Sequence, residues 1–273
     1  MHKSALFGVA VFVSFACASL AAEFQSIELR TGARATGVEL KCAELLKARL
    51  TELGGPAVRI VSENDAGTGS GAGLIVLFGI PSHHDAMGAR FDTERIGPLT
   101  ERDPGPEGFL VRSFFTSPQP LLIAAAVDQR GALYAAGEVL RQAIVNPDSI
   151  TFPDFIPVRT APAFEVRGTQ FGQSGVAKRV ARVRDWTEEE TQRDILDSAL
   201  AGANTFDVAA GPLFDFIKSF DLMTQDNYNP NAGNGPPEWQ AKESIGRTNY
   251  LCPSVPEARA ALIEQCKSYF ANA

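Results

Sequence analysis

Arg159-Thr160-Ala161-Pro162-Ala163-Phe164-Glu165-Val166-Arg167-Gly168 is the stretch at which the chain changes rhythm. Before it, short apolar runs follow one another through turns. After it, short apolar runs alternate with amphipathic helical patterns. Asn146-Pro147-Asp148 and the prolines within Thr151 to Pro162 lead up to it, so residues 151–163 read as a linker. The chain of 273 residues therefore divides into a unit over 23–150 and a unit over 164–273, behind an N-terminal segment 1–22. A hydrophobic content of 45% with 18 Phe is enough to give both units real cores.

In the upstream unit, Phe24 to Leu29 predicts a strand. Thr36-Gly37-Val38-Glu39 is a capping box, in which residues 36 and 39 satisfy each other's free backbone donors. Val38, Cys42, Leu45, Leu46 and Leu53 continue it as one helical stripe, ended by Gly54-Gly55-Pro56. Val58 to Val61 predicts a short strand, and Leu74 to Phe78 a wholly apolar one, buried on both faces. Gly108 to Phe115 and Leu121 to Val127 predict two more strands, turned by Ser117-Pro118-Gln119-Pro120. A helix over Gly131 to Ile144 repeats Leu133, Ala136, Leu140 and Ile144. Consecutive strands joined by a short turn predict an antiparallel or mixed sheet with helices on one face.

Downstream, Phe164 to Gly168 predicts a strand, and Thr187-Glu188-Glu189-Glu190 caps a helix that runs to Gly202. Asn204 to Val208 predicts the next strand, Leu213 to Phe220 a helix, and Leu222 to Thr224 a third strand. Ser254-Val255-Pro256-Glu257 opens a last helix through Leu262, Ile263, Cys266 and Phe270. This alternation is that of parallel β/α units, about three of them. The fold class is α/β: an α+β accessory domain followed by part of a β/α barrel.

Bulk properties narrow the partners. A net charge of −7 and a pI near 5.1 argue against nucleic acid, whose phosphates attract a basic face. Lys3, the apolar run Ala5 to Ala18 and Ser19-Leu20-Ala21 form a secretory signal-peptide pattern, which places the mature protein in the periplasm or outside the cell. Cys17 alone would allow a lipid anchor, but Ser14-Phe15-Ala16 lacks the usual Leu three places earlier. No later segment approaches the ~20 apolar residues of a membrane helix. Cys42, Cys252 and Cys266 are too few for a disulfide framework and read as core residues, with a 252–266 bridge as the alternative. His83-His84-Asp85 reads as a surface loop, since adjacent side chains rarely converge on one ion. Gly67 to Gly73 precedes a strand instead of opening a helix, so it lacks phosphate-loop geometry. No metal and no cofactor is expected.

Two patterns carry a family resemblance. They are Asp128-x-Arg130-Gly131-x-Leu133-Tyr134-Ala135 at a helix start, and Pro162-x-Phe164-x-x-Arg167-Gly168. Together they resemble the junction at which a hexosaminidase-like α/β domain hands over to a glycoside-hydrolase barrel, as in β-N-acetylhexosaminidases and bacterial α-glucuronidases. The resemblance implies a secreted hydrolase of glycosidic bonds, with an α-glucuronidase or a non-catalytic carbohydrate-binding protein as alternatives. It also implies that Arg167 holds hydroxyls of a terminal sugar, which suits the fixed fork of guanidinium donors. Thr169-Gln170-Phe171-Gly172 departs from the acidic, His-rich continuation of typical hexosaminidases. The family's catalytic acid pair follows the fourth barrel strand. About 105 residues follow Arg167, short of the ~250 of a whole barrel, so the chain reads as a fragment and no catalytic residue is nominated.

Asp207 ends the second expected barrel strand, and Asp226 to Gly235, with Tyr228, follows the third. Loops at that edge line a barrel mouth, so Asp207, Tyr228 and Trp239 are candidate sugar contacts beside Arg167. The Asn-rich loop lacks the spacing of a calcium loop.

Overall fold

A computed structural model describes residues 21–65, 73–169, 187–208, 211–225, 235–240 and 251–272. The upstream unit runs β1 (Ala21–Phe24), β2 (Ser26–Thr31), α1 (Gly37–Glu52), β3 (Ala57–Ser62), β4 (Leu74–Gly79), α2 (Asp85–Thr93), β5 (Phe109–Phe114), β6 (Leu121–Ala126), α3 (Gln129–Gln142), β7 (Ile144–Asn146), β8 (Ser149–Pro153) and β9 (Pro157–Thr160). Its main sheet has the order β3-β2-β4-β6-β5-β9. The pairs β2–β3, β2–β4 and β4–β6 are parallel, while β5 runs antiparallel to both β6 and β9. A small antiparallel sheet, β1-β8-β7, flanks it.

Burial follows from the strand compositions. Every residue of Leu74–Gly79 and of Leu121–Ala126 is buried, as parallel strands covered on both faces must be. One face packs Val76, Phe78, Leu122 and Ala124 against Cys42, Leu46 and Leu50 of α1 and Leu133, Ala136 and Val139 of α3. The other packs Ile75, Leu77, Leu110 and Ile123 against Met87 and Phe91 of α2 and against Ile96. The two expected helices share one face. The third covers the other, and its two buried positions are too few to announce a helix in the sequence.

Several expectations need correction. The segment 151–163 is not free linker: it contributes β8 and the edge strand β9, where Pro157 is tolerated because an edge strand leaves one side unpaired. The helix expected over Gly131 to Ile144 is Gln129–Gln142, capped by Asp128, and Ile144 starts a strand with its side chain 64% exposed. Strand β1 begins at Ala21, within the segment set aside for the signal peptide, and residues 1–20 lie outside the described residues. Cys42 is buried, and burial pushes its thiol up to about 12, so it is an inert core residue. Cys252 and Cys266 are free thiols, only partly covered. Among the described residues no helix is long and apolar enough to cross a membrane.

His83 and His84 are not a surface loop. His84 is fully buried at the start of α2, its Nδ1 3.3 Å from Met87 N and placed to donate to Glu63. Its Nδ1 also lies 2.8 Å from Glu63 Oε2, and His83 Nδ1 lies 2.7 Å from Oε2 of the buried Glu39. Two carboxylates from two other elements thus pin the β4–α2 connection. Glu63 in addition accepts the backbone N–H groups of Ala33 (2.7 Å), Ala86 (2.9 Å) and Asp85 (3.1 Å). Burial alone would raise its pKa; the three backbone donors and His84 outweigh that and hold it down at about 2. Burial lowers the pKa of His84 against the pull of Glu63.

A carboxyl whose folded pKa lies below its unfolded value stabilises the fold above the unfolded value and ceases to do so as pH falls through the folded one. Glu63 therefore contributes fully above pH 4.5, and its contribution disappears between pH 4.5 and about 2. Glu63→Gln should cost roughly 1.5–3 kcal/mol at neutral pH, as expected for hydrogen bonds to a charged group. Urea unfolding measured across pH should show the wild-type stability converging on that of the variant over this acid range. A constant difference down to the lowest pH would contradict the assignment.

Candidate functional site

The downstream unit begins with β10 (Gly168–Thr169), followed by α4 (Glu188–Leu200), β11 (Thr205–Asp207), α5 (Pro212–Lys218) and β12 (Met223–Gln225); α6 (Pro256–Asn272) lies further on. The strands form a parallel sheet in the order β10-β11-β12, with Gly168 opposite Thr205 and Asp207 opposite Gln225. Phe206 is fully buried in a core that includes Ile195, Ala199 and Leu200 of α4, Ile217 of α5, and α3 of the upstream unit. The two units share that one core. Gly137 of α3 permits the contact, since a Cβ there would lie 2.0 Å from Leu200 O.

Thr169, Asp207 and Gln225 mark the carboxyl edge of these strands, the edge from which β/α loops build a barrel mouth. Asp207 stands on that edge, as its position in the sequence predicts. Tyr228 lies outside the described residues. Trp239 is half-buried in a short helical turn, Pro237–Trp239, and its carbonyl accepts the N–H of Cys252 at 2.6 Å.

Arg167 stands elsewhere. The strand expected over Phe164 to Gly168 starts only at Gly168, because Phe164 and Val166 are 74% and 63% exposed and form no ladder. Arg167 therefore precedes the amino end of β10, on the side of the sheet away from Asp207. Four of the five N–H donors of its guanidinium go to protein groups. Nε donates to Gly202 O at 2.6 Å, Nη1 to Phe164 O, and Nη2 both to Tyr134 Oη at 2.8 Å and to the Glu107 carboxylate. Its planar group also lies 5.3 Å from the Tyr134 ring centroid, in cation–π range.

Glu107 is the centre of this cluster. It is buried, and its backbone adopts φ 58°, a region costly for a residue with a side chain. Its backbone N–H donates to Asp128 Oδ2 at 2.7 Å, while Asp128 Oδ1 caps α3 by accepting Gly131 N at 2.8 Å. Its carboxylate pairs with Arg130 (2.6 Å) and with Arg167, and accepts the Asn204 amide at 3.2 Å. Asn204, fully buried, closes the circuit. Its amide donates to Glu165 O at 2.7 Å, and its Oδ1 accepts Arg167 N at 2.9 Å and the Thr205 hydroxyl at 2.8 Å. Burial, reinforced by the charge of Glu107, raises the pKa of the Tyr134 phenol, so it stays protonated and donates to Ala203 O.

These contacts give the Asp128-x-Arg130-Gly131-x-x-Tyr134 pattern a local meaning. Asp128 caps the helix, Arg130 and Tyr134 reach Glu107 and Arg167, and a Cβ at Gly131 would lie 2.5 Å from Gly108 O. Glu107 and Asn204 carry no sequence signal; a lone acid within Gly105-Pro106-Glu107-Gly108 reads as an exposed turn. Among the described residues no group of His, Cys, Asp and Glu is arranged to hold a metal ion.

No family model matches the chain, and no curated protein sequence matches it. Solved structures do. The chain is similar to a family GH115 4-O-methyl-α-glucuronidase with specificity for decorated arabinogalactans, at 11% identity and a TM-score of 0.50, over 76% of this chain and 29% of that one. It also matches the GH20 exo-β-N-acetylglucosaminidase of Vibrio harveyi, at 12% identity and a TM-score of 0.44, over 69% of this chain and 23% of that one. The chain thus spans less than a third of either protein's length. The fold is α/β and glycoside hydrolase-like: a mixed-sheet domain followed by parallel β/α units.

Replacing Arg167 by Ala should strand part of the Glu107 charge, with Arg130 left as its guanidinium partner. The expected loss is about 3 kcal/mol, the low end of the cost of breaking a buried pair. Thermal unfolding should register it as a lower Tm; an unchanged Tm would show that the hub is held without Arg167.

Proposed function

We propose that this chain is part of a secreted enzyme that hydrolyses glycosidic bonds in polysaccharides or glycans. The observation that carries the proposal is the order of parts. A capped mixed sheet docks, through Glu107 and a continuous core, onto parallel β/α units whose carboxyl edge includes residue Asp207. The second reading is an α-glucuronidase-like hydrolase acting on an acidic sugar, in keeping with the fold likeness to the glucuronidase. The departure at Thr169-Gln170 from the hexosaminidase pattern points the same way.

In this reading Arg167 acts as the anchor of the first barrel strand, and the sugar contacts lie at the opposite edge. Asp207 would accept hydrogen bonds from sugar hydroxyls there, and Tyr228, outside the described residues, would offer an aromatic platform. Bond cleavage in such enzymes uses a pair of carboxylic groups, one giving a proton to the leaving oxygen and the other serving as base or nucleophile. Export rests on the Lys3, Ala5 to Ala18 and Ser19-Leu20-Ala21 pattern.

Saturation-transfer NMR with chitobiose and with 4-O-methylglucuronosyl oligosaccharides, paired with a hydrolysis assay of the secreted polypeptide, tests the proposal. One of the two sugar classes should bind, and Asp207→Asn should weaken its binding about tenfold or more, the worth of a hydrogen bond to a charged group. Failure of both classes to bind would refute the carbohydrate reading. Cleavage by these 273 residues alone would show that a catalytic carboxylate pair lies among them.

A further inference from the structure

The junction between the two units encloses more than the Glu107 hub. An open cavity of about 620 Å³ lies between the end of α3, the end of α4 and the segment 160–168. That volume falls among small-ligand sites, roughly 300–1,000 Å³, which favour interfaces between units. Phe109, Ala161, Pro162 and Ala201 supply apolar wall, Thr160 and Ser198 supply hydroxyls, and two guanidiniums, Arg141 and Arg167, also line it.

Neither guanidinium is fully used among the described residues. Arg141 spends Nε and one N–H of Nη2 on Glu138, and one N–H of Nη1 on Leu200 O, so each terminal nitrogen keeps a donor. Arg167 keeps one N–H on Nη1, whose other goes to Phe164 O. The Arg141 side chain is 47% exposed, so an incoming anion need not first be stripped of all solvent. Spare guanidinium donors recognise a carboxylate, often in bidentate fashion. Hydroxyls beside an apolar wall suit a hydroxylated ring with one apolar face.

We propose that this junction cavity binds a small hydroxylated carboxylate of sugar-acid size, at a site separate from the Asp207 edge. Occupation would bridge α3, α4 and the segment before β10. The proposal stands independently of any hydrolytic activity, because it rests on the cavity lining alone.

The test is an NMR titration of the whole chain with D-glucuronate, D-glucose and acetate. Glucuronate should bind at least tenfold more tightly than either of the others, with amide shifts concentrated at Phe109, Ala161, Ser198 and Gly202. Arg141→Gln should weaken it at least tenfold. Ala161→Phe, which adds bulk to the apolar wall without changing a charge, should abolish it; this variant carries the test if Arg141→Gln lowers the Tm. Absence of glucuronate binding, or binding unaffected by Ala161→Phe, would overturn the proposal. So would shifts concentrated at Thr169 and Gln225, an outcome that would leave the barrel-edge reading standing.

Discussion

One buried carboxylate decides how this molecule holds together. Glu107 sits in a turn of the upstream unit, yet two of its partners, Arg167 and Asn204, belong to the downstream one. A buried charge is costly unless it is paired and hydrogen-bonded, so the turn reaches its folded state only when the start of the second unit is in place. The left-handed backbone of Glu107 adds to that dependence, because such a conformation persists only where its surroundings over-determine it. Asp128 performs that task from below, capping α3 with one oxygen and holding Glu107 N with the other.

The hub also fixes where the sheet of the second unit begins. Asn204 hydrogen-bonds the backbone of Glu165 and Arg167 with its two amide groups, which sets Gly168 opposite Thr205. Asp207 follows on the same strand and reaches the far edge. A polar cluster at the amino ends of the strands thus determines what stands at their carboxyl ends.

Local signals were legible in the sequence. The capping boxes at Thr36–Glu39 and Thr187–Glu190 form as their spacing requires, and the wholly apolar run Leu74 to Phe78 is buried on both faces. The parallel pairing of β10, β11 and β12 was legible in the alternation of strands and helices. Contacts that depend on distant partners were not. His84 looks like a surface residue until Glu63, 21 positions away, is brought to its ring. Arg167 looks like the end of a strand until Asn204, 37 positions on, takes its backbone and Glu107, 60 positions back, takes its guanidinium. Asp207, whose place depends only on strand order, stood where expected.

The claim on which the rest hangs is that the two units fold as one through Glu107. Both tryptophans, Trp186 and Trp239, lie in the downstream unit, so fluorescence follows that unit while far-UV circular dichroism follows both. In urea, the two signals of the wild type should fall on a single transition, the mark of one cooperative unit. In Glu107→Gln the fluorescence transition should move to lower urea and separate from the dichroism curve. Transitions of the variant that stay coincident and unshifted would contradict the coupling.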